Sequence, residues 1–130
     1  MTMLTNKVIL VTGGSTGIGR ATAKILAAEG ATVAILDLQD AEGAKTVEMI
    51  KEAGGKAEYH HVDVSDYPGV RASIAKIVGA HGKLDGAFNN AGIEGPTAKI
   101  LDVAIEDWDR VIRVNLTGVF VCMKCEIEQM

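Results

Sequence analysis

Short apolar runs alternate with longer amphipathic stretches along the whole chain. The runs are rich in β-branched residues, as is typical of strands that are buried on both faces. The longer stretches repeat apolar residues every three or four positions, which predicts helices. The predicted strands cover residues 7–12, 32–36, 57–62 and 84–89, and the predicted helices cover 17–29, 39–53, a segment beginning at 65 or 66, and 106 to the chain end.

Apolar spacing also predicts which side of each helix faces a sheet. In the first helix the inner face is expected to carry Ile18, Ala21, Ile25 and Ala28. The inner faces of the next two helices are expected to carry Gly43, Val47, Ile50, Val70, Ile74, Ile77 and Val78.

Turn residues mark the ends of these helices. Gly30 is well placed to stop the first helix, and Gly54 and Gly55 end the second. The third helix has Ser65 or Asp66 as its cap and proline in its first turn.

Four strand–helix units in succession predict an α/β fold with a parallel sheet and helices on both faces. Right-handed crossovers and one reversal give a Rossmann-type, doubly wound sheet of four strands in the order 3-2-1-4. No linker or internal repeat divides the chain, so residues 1–130 are expected to form one domain.

Composition narrows the class of protein. The 130 residues are 48% hydrophobic and 23% charged, which is typical of a globular domain. A net charge of −4 argues against a nucleic-acid surface. No apolar run is long enough to span a membrane, and the N-terminus lacks the features of a signal peptide, so the cytoplasm is the expected location.

Three glycines follow the first strand and lead into the first helix. Gly13 allows a sharp turn off the strand, Gly17 allows backbone to approach a polyphosphate, and Gly19 allows the helix to pack closely on the strand. The N-terminus of that helix offers unpaired N–H groups that suit a pyrophosphate. A plain tight turn is the alternative, but the flanking strand and helix favour a dinucleotide site.

Asp37 ends the second strand about 20 residues beyond the glycines, where a carboxylate meets the adenosine ribose. It would accept hydrogen bonds from both ribose hydroxyls and repel a 2′-phosphate. The neighbouring side chains carry no positive charge: Ser15, Thr16, Leu38 and Gln39. The residue therefore favours NAD over NADP, although a helix-capping role is the simpler alternative.

The ends of the next two strands carry further polar groups. Asp63 and Val64 suit a polar contact to the adenine amino group and an apolar wall against its ring. Asn89 to Gly92 is a small-residue segment that leaves room for a ligand at the carboxyl end of the sheet. A loop Asp and an Asn/Gly turn are the alternatives.

Asn115 falls in an apolar stripe of the last predicted helix, formed by Trp108, Val111, Ile112, Val119, Cys122 and Met123. A buried amide without partners costs about 1–3 kcal/mol, so this side chain is expected to have hydrogen-bond partners. Those partners are either structural backbone groups or members of a functional site.

In combination these motifs resemble the classical branch of the short-chain dehydrogenase/reductase family. The resemblance rests on Thr12-Gly13-x-x-x-Gly17-x-Gly19, Asp37, Asp63-Val64, Asn89-Asn90-Ala91-Gly92 and Asn115, in order and at family-like spacing. It implies that Asn115 belongs to the catalytic group through a water relay. The cofactor-binding residues that it implies are Gly13, Ser15, Thr16, Gly17, Ile18, Gly19, Asp37, Leu38, Asp63, Val64, Asn90, Ala91 and Gly92.

The family's serine and Tyr-x-x-x-Lys pair do not occur in these residues, since Asp63 and Arg71 stand four positions after Tyr59 and Tyr67. The resemblance therefore implies the NAD(H)-binding half of an enzyme that interconverts alcohols and ketones, truncated before its catalytic segment and catalytically incompetent alone. Homo-oligomerisation through the last helix is also expected. A non-catalytic dinucleotide-binding or sensor module, or a fragment that binds nothing, are the alternatives.

Two other patterns are weaker. Cys122 and Cys125 have the spacing of a redox pair but lie within a predicted helix, so packing is the favoured interpretation. Ser73 and Lys76 match the Ser-x-x-Lys spacing of some hydrolases, but the lysine is expected to face solvent. The three histidines are scattered, and no metal site is predicted.

Overall fold

The computed structural model describes residues 2–130 and contains one parallel sheet. Its strands are β1 (Val8–Thr12), β2 (Thr32–Asp37), β3 (Lys56–His61) and β4 (Gly86–Asn89). They lie in the order β3-β2-β1-β4 and every neighbouring pair is parallel, which confirms the predicted doubly wound sheet.

Five α-helices surround the sheet, together with one 3₁₀ turn and one π-helical segment. They are α1 (Gly17–Ala28), α2 (Asp40–Glu52), α3 (Tyr67–His81), the 3₁₀ turn Ile100–Asp102, α4 (Ile105–Ile112), the π segment Arg113–Thr117 and α5 (Gly118–Gln129). Within residues 2–130, none of the helices combines the length and apolar character needed to cross a bilayer.

The sheet separates two apolar cores. On one face, Val33 and Ile35 of β2 pack with Ala23 of α1 and Ile50 of α2. On the other face, Leu36 of β2 belongs to the core that α3 and α5 cover. Because β2 is buried on both faces, its continuously apolar sequence is explained.

Strand register brings three chain segments together at one edge. Thr12 of β1 lies opposite Leu36 of β2 and Asn89 of β4. The residues that follow these positions therefore emerge side by side at the carboxyl end of the sheet. The turn after β1 is tied to β2 directly, because Gly13 N donates to Leu36 O at 2.8 Å.

The predicted inner face of α1 is wrong. Ile18 and Ile25 are 72% and 65% exposed, and the other two members of that predicted face, Ala21 and Ala28, are also exposed. The face that packs on the sheet is instead made of small residues four apart: Gly19, Ala23 and Ala27. Close approach of helix and sheet requires small side chains there, so apolar size was a misleading guide to the buried face.

The faces predicted for α2 and α3 are confirmed. Gly43 and Ile50 are buried and Val47 is half-buried against the same core. On α3 the predicted stripe is buried, with Val78 half-buried at its edge. Asp66 is the N-terminal flanking residue of α3, with proline in the first turn, as expected.

The last predicted helix is not a single α-helix. It begins at Ile105 and is interrupted by the π segment Arg113–Thr117. The predicted apolar stripe is not buried along its whole length: no residue of α4 or of the π segment is buried, whereas α5 has a buried face. Trp108 is 61% exposed and Met123 is 46% exposed, whereas Cys122 is buried.

Helix α5 has a buried face and an exposed apolar face. Cys122 and Cys125 are buried and free, and burial raises the pKa of the Cys122 thiol to about 12. This is the opposite of the lowered thiol pKa that redox catalysis requires. An exposed apolar stripe begins at Leu116 in the π segment and continues along α5 with Phe120, Met123 and Ile127.

Two helix glycines give a matched test of packing. A Cβ at Gly43 would overlap the Tyr59 ring, whereas a Cβ at Gly79 would meet open space. We expect Gly43→Ala to lower the free energy of unfolding by about 1–3 kcal/mol through overpacking. Gly79→Ala should raise it by about 0.4–1 kcal/mol. Urea unfolding of both variants checks the pair, and equal effects of the two substitutions would contradict this packing.

Candidate functional site

The main concave feature of the described residues is a cleft of about 670 Å³ at the carboxyl end of the sheet. The turn after β1, the end of β2 and the segments after β3 and β4 all reach it. In doubly wound folds this is where ligands bind, at the point where strand order reverses. The lining residues are Gly13, Thr16, Gly17, Ile18, Leu36, Asp37, Leu38, Gln39, Val62, Asp63, Val64, Asn90, Ala91, Gly92, Ile93, Glu94 and Val114.

The glycine turn has the geometry that its sequence predicts. Gly13 and Gly17 have φ angles of +69° and +56°, which favour glycine. A Cβ at Gly17 would meet open space within the cleft, whereas a Cβ at Gly19 would overlap the Gly13 carbonyl oxygen. Because Gly19 has no side chain, the first helical turn of α1 can lie directly behind the glycine turn that follows β1.

The side chain of Thr12 in β1 and that of Asn90, which follows β4, hold this turn in place. Asn90 Nδ2 lies 3.3 Å from both Thr12 O and Gly13 O, to which it donates. Ala91 N donates to Thr12 Oγ1 at 3.0 Å. The segment after β4 thus forms part of the cleft and also fixes the backbone of the glycine turn.

Asp37 presents a fixed carboxylate at the end of β2. Its Oδ2 accepts from Ser15 N at 3.1 Å, and its Oδ1 accepts from Leu38 N at 2.7 Å. Each oxygen keeps a further lone pair for another donor. The carboxylate therefore joins the glycine turn to β2 and can still accept hydrogen bonds from a ligand.

Asp63 is held in a similar way after β3. Its Oδ1 accepts from Ser65 N at 2.9 Å and from Ser65 Oγ at 2.7 Å. These hydrogen bonds hold the pKa of the Asp63 carboxyl below its usual value, so the group is an anion at neutral pH. Val64 beside it is buried and packs against Gly118 of α5.

The lining of the cleft is acidic. Among the described residues that reach it, Asp37, Asp63 and Glu94 are carboxylates, and none is lysine or arginine. The nearby Arg20 is already paired, because its Nη2 lies 2.7 Å from Glu42 Oε2. Donors for an anionic ligand in this lining are therefore neutral groups, which include the backbone N–H groups at the start of α1.

Asn115 is exposed, so the expectation that it is buried in an apolar stripe is wrong. No residue of α4 or of the π segment is buried, so the whole stretch that carries Asn115 lacks a buried face. Its expected hydrogen-bond partners are nevertheless present: Oδ1 accepts from Ile93 N and Nδ2 donates to Ile93 O, both at 2.8 Å. The partners are backbone groups of the loop that follows β4.

Most of the predicted site residues line the cleft together. Ser15 and Gly19 are the exceptions among the predicted cofactor-binding residues, since neither lines the cleft. Ser15 Oγ is buried and has no hydrogen-bond partner among the described residues. The lining residues outside the predicted set are Leu36, Gln39, Val62, Ile93, Glu94 and Val114. Leu36 and Val62 could have been predicted from the sequence, because each stands at the end of a predicted strand next to a predicted site residue, Asp37 or Asp63.

A protein-family comparison decides the family. The model described as "short chain dehydrogenase" matches residues 7–130. The chain belongs to the short-chain dehydrogenase family.

Curated relatives of this chain include 2,5-dichloro-2,5-cyclohexadiene-1,4-diol dehydrogenase of Sphingobium indicum, which is 42% identical over 98% of this chain and 50% of its own. Secoisolariciresinol dehydrogenase of Forsythia intermedia is 46% identical over 93% of this chain and 43% of its own. The chain therefore spans about half the length of these relatives.

Solved structures agree with this family and fold. NAD⁺-bound xylitol dehydrogenase superposes with a TM-score of 0.96 and is 36% identical, covering 99% of this chain and 50% of that one. The match extends over the four-stranded sheet and its helices.

Neither tyrosine of the chain lines the cleft. The Tyr59 hydroxyl lies 2.9 Å from Asp37 O and 2.6 Å from Asp40 Oδ1, and these two acceptors share its single proton. Burial and the hydrogen bond to Asp40 raise the pKa of the Tyr59 phenol, which disfavours proton exchange at neutral pH. Tyr67 packs on the core beside α3.

The Asn115–Ile93 pair gives a test of loop anchoring. We expect Asn115→Ala to lose both hydrogen bonds and to lower the free energy of local opening at Ile93 by about 1–3 kcal/mol. Amide hydrogen exchange at Ile93 measures this loss. Leu116→Ala is the matched control, since Leu116 is an exposed neighbour in the same π segment. Unchanged exchange at Ile93 in Asn115→Ala would show that the loop is held by other contacts.

Proposed function

We propose that these 130 residues form the NAD(H)-binding part of a short-chain dehydrogenase that transfers hydride between NAD(H) and an alcohol or ketone. One observation carries the proposal. The first turn of α1 and the Asp37 carboxylate line the same cleft, at the reversal of strand order. A helix N-terminus for a pyrophosphate and a carboxylate for a ribose are the two parts of a dinucleotide site.

The pyrophosphate is assigned to the start of α1. Thr16, Gly17 and Ile18 line the cleft there. Thr16 makes no side-chain hydrogen bond to the helix, and first-turn N–H groups have no partner within a helix. Because Gly17 leaves open space where a side chain would stand, a polyphosphate can approach the backbone.

The ribose assignment favours NAD over NADP. The Asp37 carboxylate would accept from the two hydroxyls of the adenosine ribose, as its free lone pairs allow. A 2′-phosphate would instead meet an anion with no lysine or arginine among the described lining residues. Asp63 and Val64 are assigned to the adenine, and Asn90, Ala91 and Gly92 to the opposite part of the cleft.

We assign the hydride chemistry to the bound nicotinamide, which supplies it when present. The residues in hand bind and orient that group but contain no tyrosine able to exchange a proton at the cleft. Asn115 is the one family catalytic position among them, and here its side chain holds the Ile93 backbone. We therefore expect these residues alone to bind the dinucleotide without turnover.

Self-association is proposed through the exposed stripe of Leu116, Phe120, Met123 and Ile127. Phe120 and Ile127 are 64% and 66% exposed, and the residues recur at helical spacing along one face. A contiguous apolar face on a helix commonly marks a contact surface. A second copy of the chain can cover the stripe with the same residues.

Replacing the carboxylate at the end of β2 tests the cofactor assignment. We expect Asp37→Ser to weaken NADH binding by about 10- to 100-fold, because a charge-assisted hydrogen bond contributes about 1.5–3 kcal/mol. NADPH binding should be retained or strengthened, so that the preference for NADH falls. Titrations followed by the fluorescence of the reduced nicotinamide measure both affinities.

Asp109→Ser is the control for Asp37→Ser, because Asp109 is exposed on α4 and its loss changes net charge equally. It should leave both affinities unchanged. If the unaltered chain bound NADPH as tightly as NADH, the ribose assignment would be wrong. If it bound neither, the dinucleotide assignment itself would fail.

A charge placed in the exposed stripe tests self-association. Phe120→Lys should shift the chain toward monomer in sedimentation velocity experiments, because a lysine in an apolar contact is costly to desolvate. Ile25→Lys is the matched control on α1, where the replaced side chain is 65% exposed. A chain that is already monomeric at high concentration would count against the proposed surface.

A further inference from the structure

Glu126 is a buried acid in the apolar core between α5 and the sheet. It is 3% exposed and shares the inner face of α5 with Cys122 and Cys125. A charged carboxylate in such a place is costly unless a cation or several donors compensate for the lost water. Its surroundings therefore decide whether it carries a charge.

One donor reaches the Glu126 carboxyl group. Asn89 Nδ2 donates to Glu126 Oε1 at 2.8 Å. Glu126 Oε2, the second carboxyl oxygen, and Asn89 Oδ1, the amide oxygen, are both buried and have no partner among the described residues. An ionised glutamate would leave two buried acceptors in adjoining side chains without a donor, which is an unfavourable arrangement.

No cation of the described residues compensates for a charge on Glu126. On α3, Arg71 Nη2 donates to Glu128 Oε1 at 2.8 Å. On α5, Lys124 Nζ lies 5.5 Å from the centre of the Tyr67 ring.

The remaining neighbours are also unable to stabilise an anion. The two buried thiols of α5 are neutral, and β4 contributes only Asn89 as a polar side chain. In the π segment, the positive charge of Arg113 helps to lower the pKa of Asp63. Burial raises the pKa of Glu126, in keeping with these surroundings.

We propose that Glu126 is a neutral carboxylic acid whose Oε2–H donates to Asn89 Oδ1 while its Oε1 accepts from Asn89 Nδ2. A single proton then supplies the missing donor for both buried oxygens. In this arrangement the acid and the amide form a closed pair that joins α5 to the end of β4.

This pair makes Glu126 a positioning residue for the glycine turn. Asn89 lies opposite Thr12 in the sheet, and the next residue, Asn90, donates to Thr12 O and Gly13 O. Fixing the Asn89 side chain therefore fixes the start of the segment that holds the turn. The inference concerns the folded chain and does not depend on a bound dinucleotide.

The proton on Glu126 couples folding to pH. The folded pKa lies above the ordinary value of 4.5, so the protonated form is favoured in the folded state. The stabilisation is fully present below about pH 4.5 and is lost as pH rises through the folded pKa. Unfolding above about pH 4.5 releases this proton to water.

Glu126→Gln tests the assignment, because a glutamine amide offers the same donor and acceptor without titrating. We expect the unfolding constant of the original chain, relative to that of Glu126→Gln, to rise about tenfold per pH unit from about pH 4.5 to the folded pKa. Urea unfolding at a series of pH values measures the ratio. A ratio that stays constant or falls would overturn the proposal, as would failure of Glu126→Gln to fold.

Infrared spectroscopy gives a second measurement. At a pH below the folded pKa that the urea series defines, the folded chain should show a protonated-carboxyl C=O band that disappears in Glu126→Gln and persists in Glu128→Gln. Glu128 is the matched control because it lies on the same helix but is exposed. Absence of the band, or its persistence in Glu126→Gln, would show that Glu126 is ionised.

Hydrogen exchange tests the positioning role. The Ala91 N–H, which donates to Thr12 Oγ1, should exchange faster in Glu126→Ala and at the original rate in Glu126→Gln. Equal protection of Ala91 in both variants would show that Glu126 does not position this segment.

Discussion

Helix α1 begins directly behind the turn that ends β1, and this close contact shapes the cleft. It requires that Gly19 have no side chain, because a Cβ there would overlap the Gly13 carbonyl oxygen. The approach places the first-turn N–H groups of α1 beside the end of the sheet. Asn90 closes the arrangement by donating to the same Gly13 carbonyl. A helix, a strand and the segment after β4 therefore meet at one backbone group.

The other features of the cleft follow from strand register. Since β1, β2 and β4 end level with one another, the groups that follow them face one space. Asp37 uses this proximity to bind the glycine turn through Ser15 N. Glu126 anchors the same edge from the opposite side of the sheet through Asn89. Hydrogen bonds of side chains therefore hold the edge of the sheet that forms the cleft, and carboxylates are the main charged groups there.

Sequence patterns predict the features that depend on local chemistry. Strand order, the sharp turn at Gly13, the close packing at Gly19 and the presence of hydrogen-bond partners for Asn115 follow from residue type and spacing. The buried face of α1 does not, because close packing selected Gly19 over the larger Ile18. The π segment of residues 113–117 is also not predicted by a periodicity of 3.6 residues, and Asn115 within it is exposed. Both errors arise from assuming a regular helix whose largest apolar residues are buried.

Nuclear magnetic resonance of the isotope-labelled chain during titration with NADH tests the central claim most directly. The account predicts that the largest amide shifts cluster at residues 13–19, 37–38, 63–64 and 90–92, with smaller changes elsewhere. Such a pattern would show that the glycine turn and the carboxylate of β2 bind one ligand together. Saturating NADH without shifts in these segments, or shifts confined to the exposed stripe of α5, would contradict the account.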